Sequence, residues 1–332
     1  MNPARATAED YIAFLVATPE PGTATEMARC QPDRPRAPAH DAFTRLLHRL
    51  EPDPEALWRD VQPLLPREGL LVLDDTVLDK PHAKQMGLVA WHWSGRHRRV
   101  VRGINLLTAL WTDGDGLWPC DYRLVDRAAD GRTKNDHLQQ LLAAAHARGL
   151  RPRCVLFDEW YSGKANLKAV RSRGWIFLTP VRCNRRVNPD RTGNRPIARC
   201  AIAATGTVVH LEGFGLVKAF RIVAKDGDTE HWITNDLGMD AGRRLQLAEQ
   251  AWGVEEYHRG LKQHTAVDRC QTRQTKAQRN HIGFAIRAFV RLEWHRFTTG
   301  VTWYAAKMGI LRHAVAAFLA HPTITPLKVA TA

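Results

Sequence analysis

The stretch Leu70–Pro81, LLVLDDTVLDKP, decides how the chain is read. Four apolar residues, Leu70 to Leu73, have the composition of a buried central strand and run directly into Asp74, Asp75 and Thr76. Aspartate is a poor strand former. A carboxylate at the end of a core strand needs a hydrogen bond, a cation or a metal. An Asx-type turn meets that need without any function. The aspartate pair therefore takes its meaning from what else in the chain it can meet.

Two further acids lie in suitable places. CVLFDEW, residues 154–160, repeats the pattern of a buried strand running into an aspartate, here Asp158. EQAWGVEEYHRGLKQ, residues 249–263, reads as a helix. With Glu255 as reference and 3.6 residues per turn, His258, Arg259 and Lys262 share its face, and Glu256 points about a quarter-turn away. If the two strands are neighbours in one sheet, Asp75 and Asp158 approach each other, and Glu255 can complete a trio. Carboxylate oxygens suit hard Mg²⁺ or Mn²⁺. Two such ions, ~3.5–4 Å apart, are the arrangement that cleaves phosphodiesters. Taken singly, each acid is better explained as a turn residue, or for Glu255 as the partner of Arg259 in a surface i,i+4 pair. For all three in this order that explanation is the weaker one.

Charge points the same way. The 332 residues carry a net +14, and 44% of them are apolar, an ordinary globular composition. Residues 1–68 hold eight Lys/Arg against eleven Asp/Glu, so the excess lies in the rest of the chain. Residues 241–332 alone hold fourteen basic against five acidic residues. A basic surface of this kind favours a polyanion, and nucleic acid is the commonest. The six cysteines are scattered with no C-x-x-C pair, which argues against zinc sites and a disulfide framework. No apolar run has membrane-spanning length and no signal-peptide pattern opens the chain, so a cytoplasmic protein is expected. There is no G-x-x-x-x-G-K phosphate loop and no G-x-S-x-G elbow.

Residues 7–17, 39–50 and the stretch DPEALWRDVQPLL read as helices, separated by a Pro/Gly-rich loop at 19–38. They form a small N-terminal helical unit, 1–66, a candidate DNA-binding head with an acidic balance. Strand-like segments follow. TKNDHLQQLLAAAHARGL, 133–150, is an amphipathic helix ending at Gly149, and a further strand comes after it. This order implies a mixed α/β sheet over 67–174, resumed at 237–300. Residues 175–236 read as inserted β-strands and 301–332 as a C-terminal helical segment.

These residues resemble the DDE transposases of bacterial insertion sequences, in the group with a ribonuclease-H-like core and a β-strand insertion before the glutamate. LVLDDT resembles the first acid motif, VLFDEWYSG the second and WGVEEYHRGLK the third. The acids are spaced by 83 residues and then 97, and the long second interval leaves room for the insertion. The resemblance covers about 65–275. It implies that Asp75, the aspartate immediately before Thr76, binds two Mg²⁺ or Mn²⁺ ions with Asp158 and Glu255, and that Lys262 contacts DNA near the cut. It implies double-stranded DNA as partner, a dimer on that DNA and a nucleoid-associated protein. The fuller signature has a Tyr seven and an Arg four positions before the glutamate. Here Ala248 and Ala251 stand there, which removes the phosphate contacts ascribed to them. Arg243, Arg244, His258 and Arg259 are candidate substitutes. Trp232, on the insertion, is the candidate to stack a base, with a core position as the alternative.

Lys80, five residues past Asp75, is a further candidate phosphate contact, and the basic helix 276–297 is a candidate wall of a DNA channel. Two other functions stay open: a metal-dependent nuclease of the same fold without strand joining, and an inactive or domesticated DNA-binding protein.

Overall fold

The computed structural model describes residues 5–19, 22–33, 35, 37–95, 97–224 and 227–324. Its centre is β1, Leu70–Asp79, which runs straight through both aspartates without a turn. Strand β2 is Ala90–Ser94, β3 is Arg99–Thr112 and β4 is Trp118–Leu124. β5 is Cys154–Phe157 and β6 is Phe177–Val181. β1 pairs antiparallel with β3 and parallel with β5, and β5 pairs parallel with β6. With neighbours on both sides, Leu70–Leu73 are buried on both faces, which explains a continuous apolar run instead of an alternating one.

The sheet then continues without a break. β7 is Arg186–Asn188, β8 Arg195–Pro196, β9 Thr207–Leu211, β10 Gly215–Val223 and β11 Thr229–Thr234. β11 returns to pair antiparallel with β6. Among the described residues the strand order is β2-β3-β1-β5-β6-β11-β10-β9-β7-β8, with β4 also on β3. The mixed α/β reading holds. β6, within the stretch read as insertion, extends the parallel part of the central sheet.

Four helices precede the sheet: α1 Ala8–Ala17, α2 Ala24–Arg29, α3 His40–Arg49 and α4 Pro54–Val61. α2 lies inside the Pro/Gly-rich stretch read as loop. Its start is fixed by the Thr23 side chain, which accepts from the Glu26 amide, and Met27 buries its one apolar face. Helices α5, Arg127–Asp130, α6, Lys134–Ala147, and α7, Lys164–Arg171, follow β4 and β5. The chain ends in α8, Ala241–Ala251, α9, Gly253–His264, α10, Thr275–Thr299, and α11, Trp303–Ala320.

The acidic balance of the N-terminal helices has a structural cause: they dock on basic α10. Arg287 bonds Asp60 at 2.7 Å and Glu9 at 3.1 Å, Lys276 meets Glu51, and Arg291 meets Glu9. Arg279 pairs with Asp126, and Arg296 with the buried Glu293. The cations of α10 are thus spent on the protein's own carboxylates, and the helix does not offer them as a free DNA wall.

His281 sits in this docking surface. Its Nδ1 meets the Tyr11 hydroxyl at 2.9 Å and its Nε2 the Ala266 carbonyl at 2.9 Å. Burial lowers its pKa to about 4. An unfolded histidine titrates near 6.5. Below that pH the unfolded chain takes up a proton that the fold refuses, so stability is lost as pH falls from 6.5 towards 4. The loss reaches about 3 kcal/mol. Denaturant unfolding at pH 7 and pH 5 checks this: the pH dependence of His281→Gln should be smaller by one proton.

Candidate active site

Strand pairing sorts the acids onto faces. Leu73 stands opposite Phe157, the last pair of the parallel β1–β5 ladder, so Asp74 and Asp158 are the next residues on the two chains, and Asp158 leaves the strand to start a short 3-10 turn. Asp75, one residue past Asp74, points to the other face.

The two faces have opposite electrostatics. Asp75 is held by the protein itself: Lys134 Nζ donates to its carboxylate at 2.6 Å and Asn105 Nδ2 at 2.5 Å, and the Tyr161 hydroxyl donates to its other oxygen. Burial alone would raise its pKa, but Lys134, Tyr161 and Asn105 hold it below the usual carboxylate range. Lys134 is placed by a capping box in which Thr133 and Asp136 start α6.

Asp74 has no such support. Burial, then the charge of Asp75, then Glu255 and Asp158 push its pKa well above the usual value. Among the described residues the basic group that contacts it is His258, whose Nδ1 lies 3.6 Å from Oδ2. That imidazole is neutral, because burial and the neighbouring Lys262 lower its pKa to about 3. The contact is therefore not an ion pair.

α9 carries Glu255 over this face. The chain breaks between α8 and α9 at Trp252, so the helix read over 249–263 is divided between two. Gly260 lets α9 pack closely, since a Cβ there would lie 2.5 Å from the Trp303 ring. Lys307 of α11 donates to the carbonyls of His264 at 2.6 Å and Leu15 at 2.9 Å, tying the end of α9 to that of α1. Glu255 is exposed at the groove, and Asp158 accepts from the Glu159 amide at 2.6 Å. Asp74, Asp158, Glu255, His258, Arg259 and Lys262 line one open groove of about 2490 Å³. Asp75 also lines it, from the opposite side of β1. Among the described residues no three His, Cys, Asp or Glu side chains are drawn together tightly enough to hold an ion. The donor chemistry fits a hard cation, since Asp74, Asp158 and Glu255 line the groove and, among the described residues, Asp74 has no Lys or Arg ion pair.

The other sequence candidates separate. Lys262 Nζ donates to Thr76 Oγ1 at 2.7 Å and Val77 O at 3.0 Å, which places its ammonium two residues from Asp74. Arg259 is exposed in the groove. Trp232 is half-buried at the groove, and its Nε1 donates to Glu230 at 3.0 Å. His258 is buried and neutral, so it supplies no positive charge to a phosphate. Lys80 is buried, and its Nζ donates to the carbonyls of Asp268 at 2.7 Å and Cys270 at 2.5 Å, so it anchors a loop instead of meeting DNA. Arg243 pairs with Asp236 at 3.4 Å, and its charge acts on Cys154, at the end of β5 away from Asp158. Neither Arg243 nor Arg244 lines the groove.

Lys134 and Asn105 were missed from sequence, while Tyr161 is the tyrosine of the second acid motif, VLFDEWYSG. Asn105 had a readable signal, since an amide inside the apolar run GINLLTALW demands a buried partner. Lys134 had none beyond its position at a helix start.

A family model described as DDE superfamily endonuclease matches residues 2–200, a stretch that contains both aspartate strands and ends before Glu255. No curated protein matches. Among solved structures, the piggyBac transposase synaptic complex with hairpin DNA is similar at 14% identity over 98% of this chain and 76% of that one, with a TM-score of 0.50, which is a likeness of fold. The Mos1 strand transfer complex matches at 16% identity over 53% of this chain and 58% of that one, TM-score 0.20. The Drosophila P element transposase strand transfer complex matches at 13% identity over 52% and 37%, TM-score 0.28. Neither of these last two scores carries an argument about this chain. Since the family model spans more than half of its residues, the chain belongs to the DDE superfamily endonucleases.

Proposed function

We propose that the protein is a transposase that cuts DNA at the ends of a mobile element and joins the freed end to target DNA. The observation that carries this reading is Asp74, a half-buried carboxylate with no Lys or Arg ion pair among the described residues, lining the groove with Asp158 and Glu255. These three carboxylates would hold the divalent ions, Mg²⁺ or Mn²⁺. When bound, such ions activate the attacking oxygen and stabilise the leaving one. The resemblance singles out Asp75; the reading moves one residue earlier because Asp75 is already engaged by Lys134, Asn105 and Tyr161, while Asp74 directly follows the Leu73–Phe157 pair.

The chain's own residues do the rest. Lys262, fixed on Thr76 and Val77, holds a phosphate beside Asp74. Arg259 neutralises the next one along α9. Trp232 offers its indole edge to DNA from the insertion. Asp75 anchors Lys134 and Tyr161 and so fixes the wall of the groove opposite α9. In the first step a water oxygen bonds to phosphorus and the P–O3′ bond breaks, leaving a 3′-hydroxyl. In the second that hydroxyl's oxygen bonds to a target phosphorus, the target's P–O3′ bond breaks, and the target strand leaves with a 3′-hydroxyl that takes up the proton. Joining two element ends at once calls for two protomers on DNA.

A nuclease that lacks the joining step is the second reading, favoured by Ala248 and Ala251 where the transposase signature has Tyr and Arg. The test is incubation with DNA carrying the repeats that flank the coding sequence, with Mg²⁺ or Mn²⁺ and with chelator. Metal-dependent nicks at the repeat ends together with joined products are expected. Nicks without joined products select the nuclease, and binding without nicks overturns both.

A further inference from the structure

Strand β2 carries two tryptophans that its own folding does not use. Trp91 is 68% exposed and Trp93 62% exposed, and both line the groove. Their orientation follows from register. β3 pairs with β1 through Asp74↔Thr108 and with β2 through Trp91↔Arg102 and Trp93↔Val100. Positions 100, 102 and 108 have the same parity along β3, so Trp91, Trp93 and Arg102 share the Asp74 face of the sheet. His92 lies on the other face, where Lys134 and Asp75 act on its charge. The Arg102 guanidinium lies 5.8 Å from the Trp91 ring centroid. Bare indoles on an edge strand are costly unless something covers them.

We propose that Trp91 and Trp93, with Arg102, form a stacking platform for unpaired DNA bases flanking the cut. The inference rests on the reading of the groove as a DNA-cutting site. Charge favours the occupant at the platform itself: Arg102 stands beside Trp91, and Arg127 and Arg259 line the same groove, cations suited to a phosphate chain. Indoles two residues apart stand roughly 7 Å apart, room for two successive bases. Six residues of β3 separate the registers of Arg102 and Asp74, roughly 20 Å. A strand advancing 3.4 Å per nucleotide covers that in about six nucleotides. The platform therefore grips DNA near the cut and not at it, and it requires that stretch to be unpaired.

The test uses the full chain in chelator, with a forked oligonucleotide whose single-stranded arm carries 2-aminopurine, and the same sequence fully paired. Wild type should prefer the fork by roughly tenfold or more and quench the 2-aminopurine. Trp91→Ala/Trp93→Ala should lose both the preference and the quenching, with a smaller loss on the paired duplex. Trp91→Phe/Trp93→Phe should recover most of both. An alanine pair that keeps the preference overturns the platform, and so does one that weakens both DNAs equally. Loss of self-association in sedimentation with the fork preference intact would make the indoles a protein interface instead. Cutting by Asp74→Asn is read separately. If that variant cuts normally the active-site reading fails, while the fork preference still decides the platform.

Discussion

Asp74→Asn should abolish DNA cutting while making the protein more stable. The change keeps the shape of the side chain and removes a charge that burial, Asp75, Glu255 and Asp158 all oppose. Relief of like charges of this kind adds about 0.5–2 kcal/mol to stability. The cost falls on catalysis. A ligand for the ions that stabilise transition-state charge is worth several kcal/mol, so the rate should drop by about 10³-fold or more. A thermal melt beside the cleavage assay reads both. A variant that loses activity and stability together would make Asp74 a structural residue.

Asp75→Ala should do the reverse in the fold. Three donors converge on that carboxylate, and removing it strands the Lys134 ammonium and the Tyr161 hydroxyl in a largely buried setting. Removing one member of a buried ion pair costs about 3–5 kcal/mol. Denaturant midpoints should show that loss, with Asp75→Asn milder because it keeps the volume and one acceptor. A cycle with Lys134→Met isolates the pair: the double variant should be less destabilised than the two singles summed, with a coupling of about 0.5–3 kcal/mol. Additive losses would mean that the two side chains do not depend on each other.

The contrast between these neighbours shows where sequence reading reached its limit. Leu70–Leu73 was readable as a central strand because a run buried on both faces has no alternation to hide it. α6 was readable from its amphipathic pattern and its closing glycine, and the face of α9 from helical spacing alone. The choice between Asp74 and Asp75 was not. It depends on the side chains that engage Asp75 and on the register of β1 against β5, a pairing between residues more than eighty positions apart that no local pattern records. Lys80 and His258 were misread as DNA contacts for a related reason. A basic residue near a site looks available until the carbonyls of Asp268 and Cys270, or the packing around α9, are seen to claim it. The basic run on α10 likewise needed the acidic N-terminal helices as its partner, and their pairing spans more than two hundred residues.

Binding of Mn²⁺ alone, followed by titration calorimetry at low temperature, tests the central assignment most directly. Wild type would be compared with Asp74→Asn, Asp158→Asn, Glu255→Gln and Asp75→Asn, each first shown to be folded. The expected result is binding by wild type and Asp75→Asn, and loss of binding in the other three. Binding retained by Asp74→Asn and lost by Asp75→Asn would contradict the assignment and return the metal to the aspartate beside Thr76.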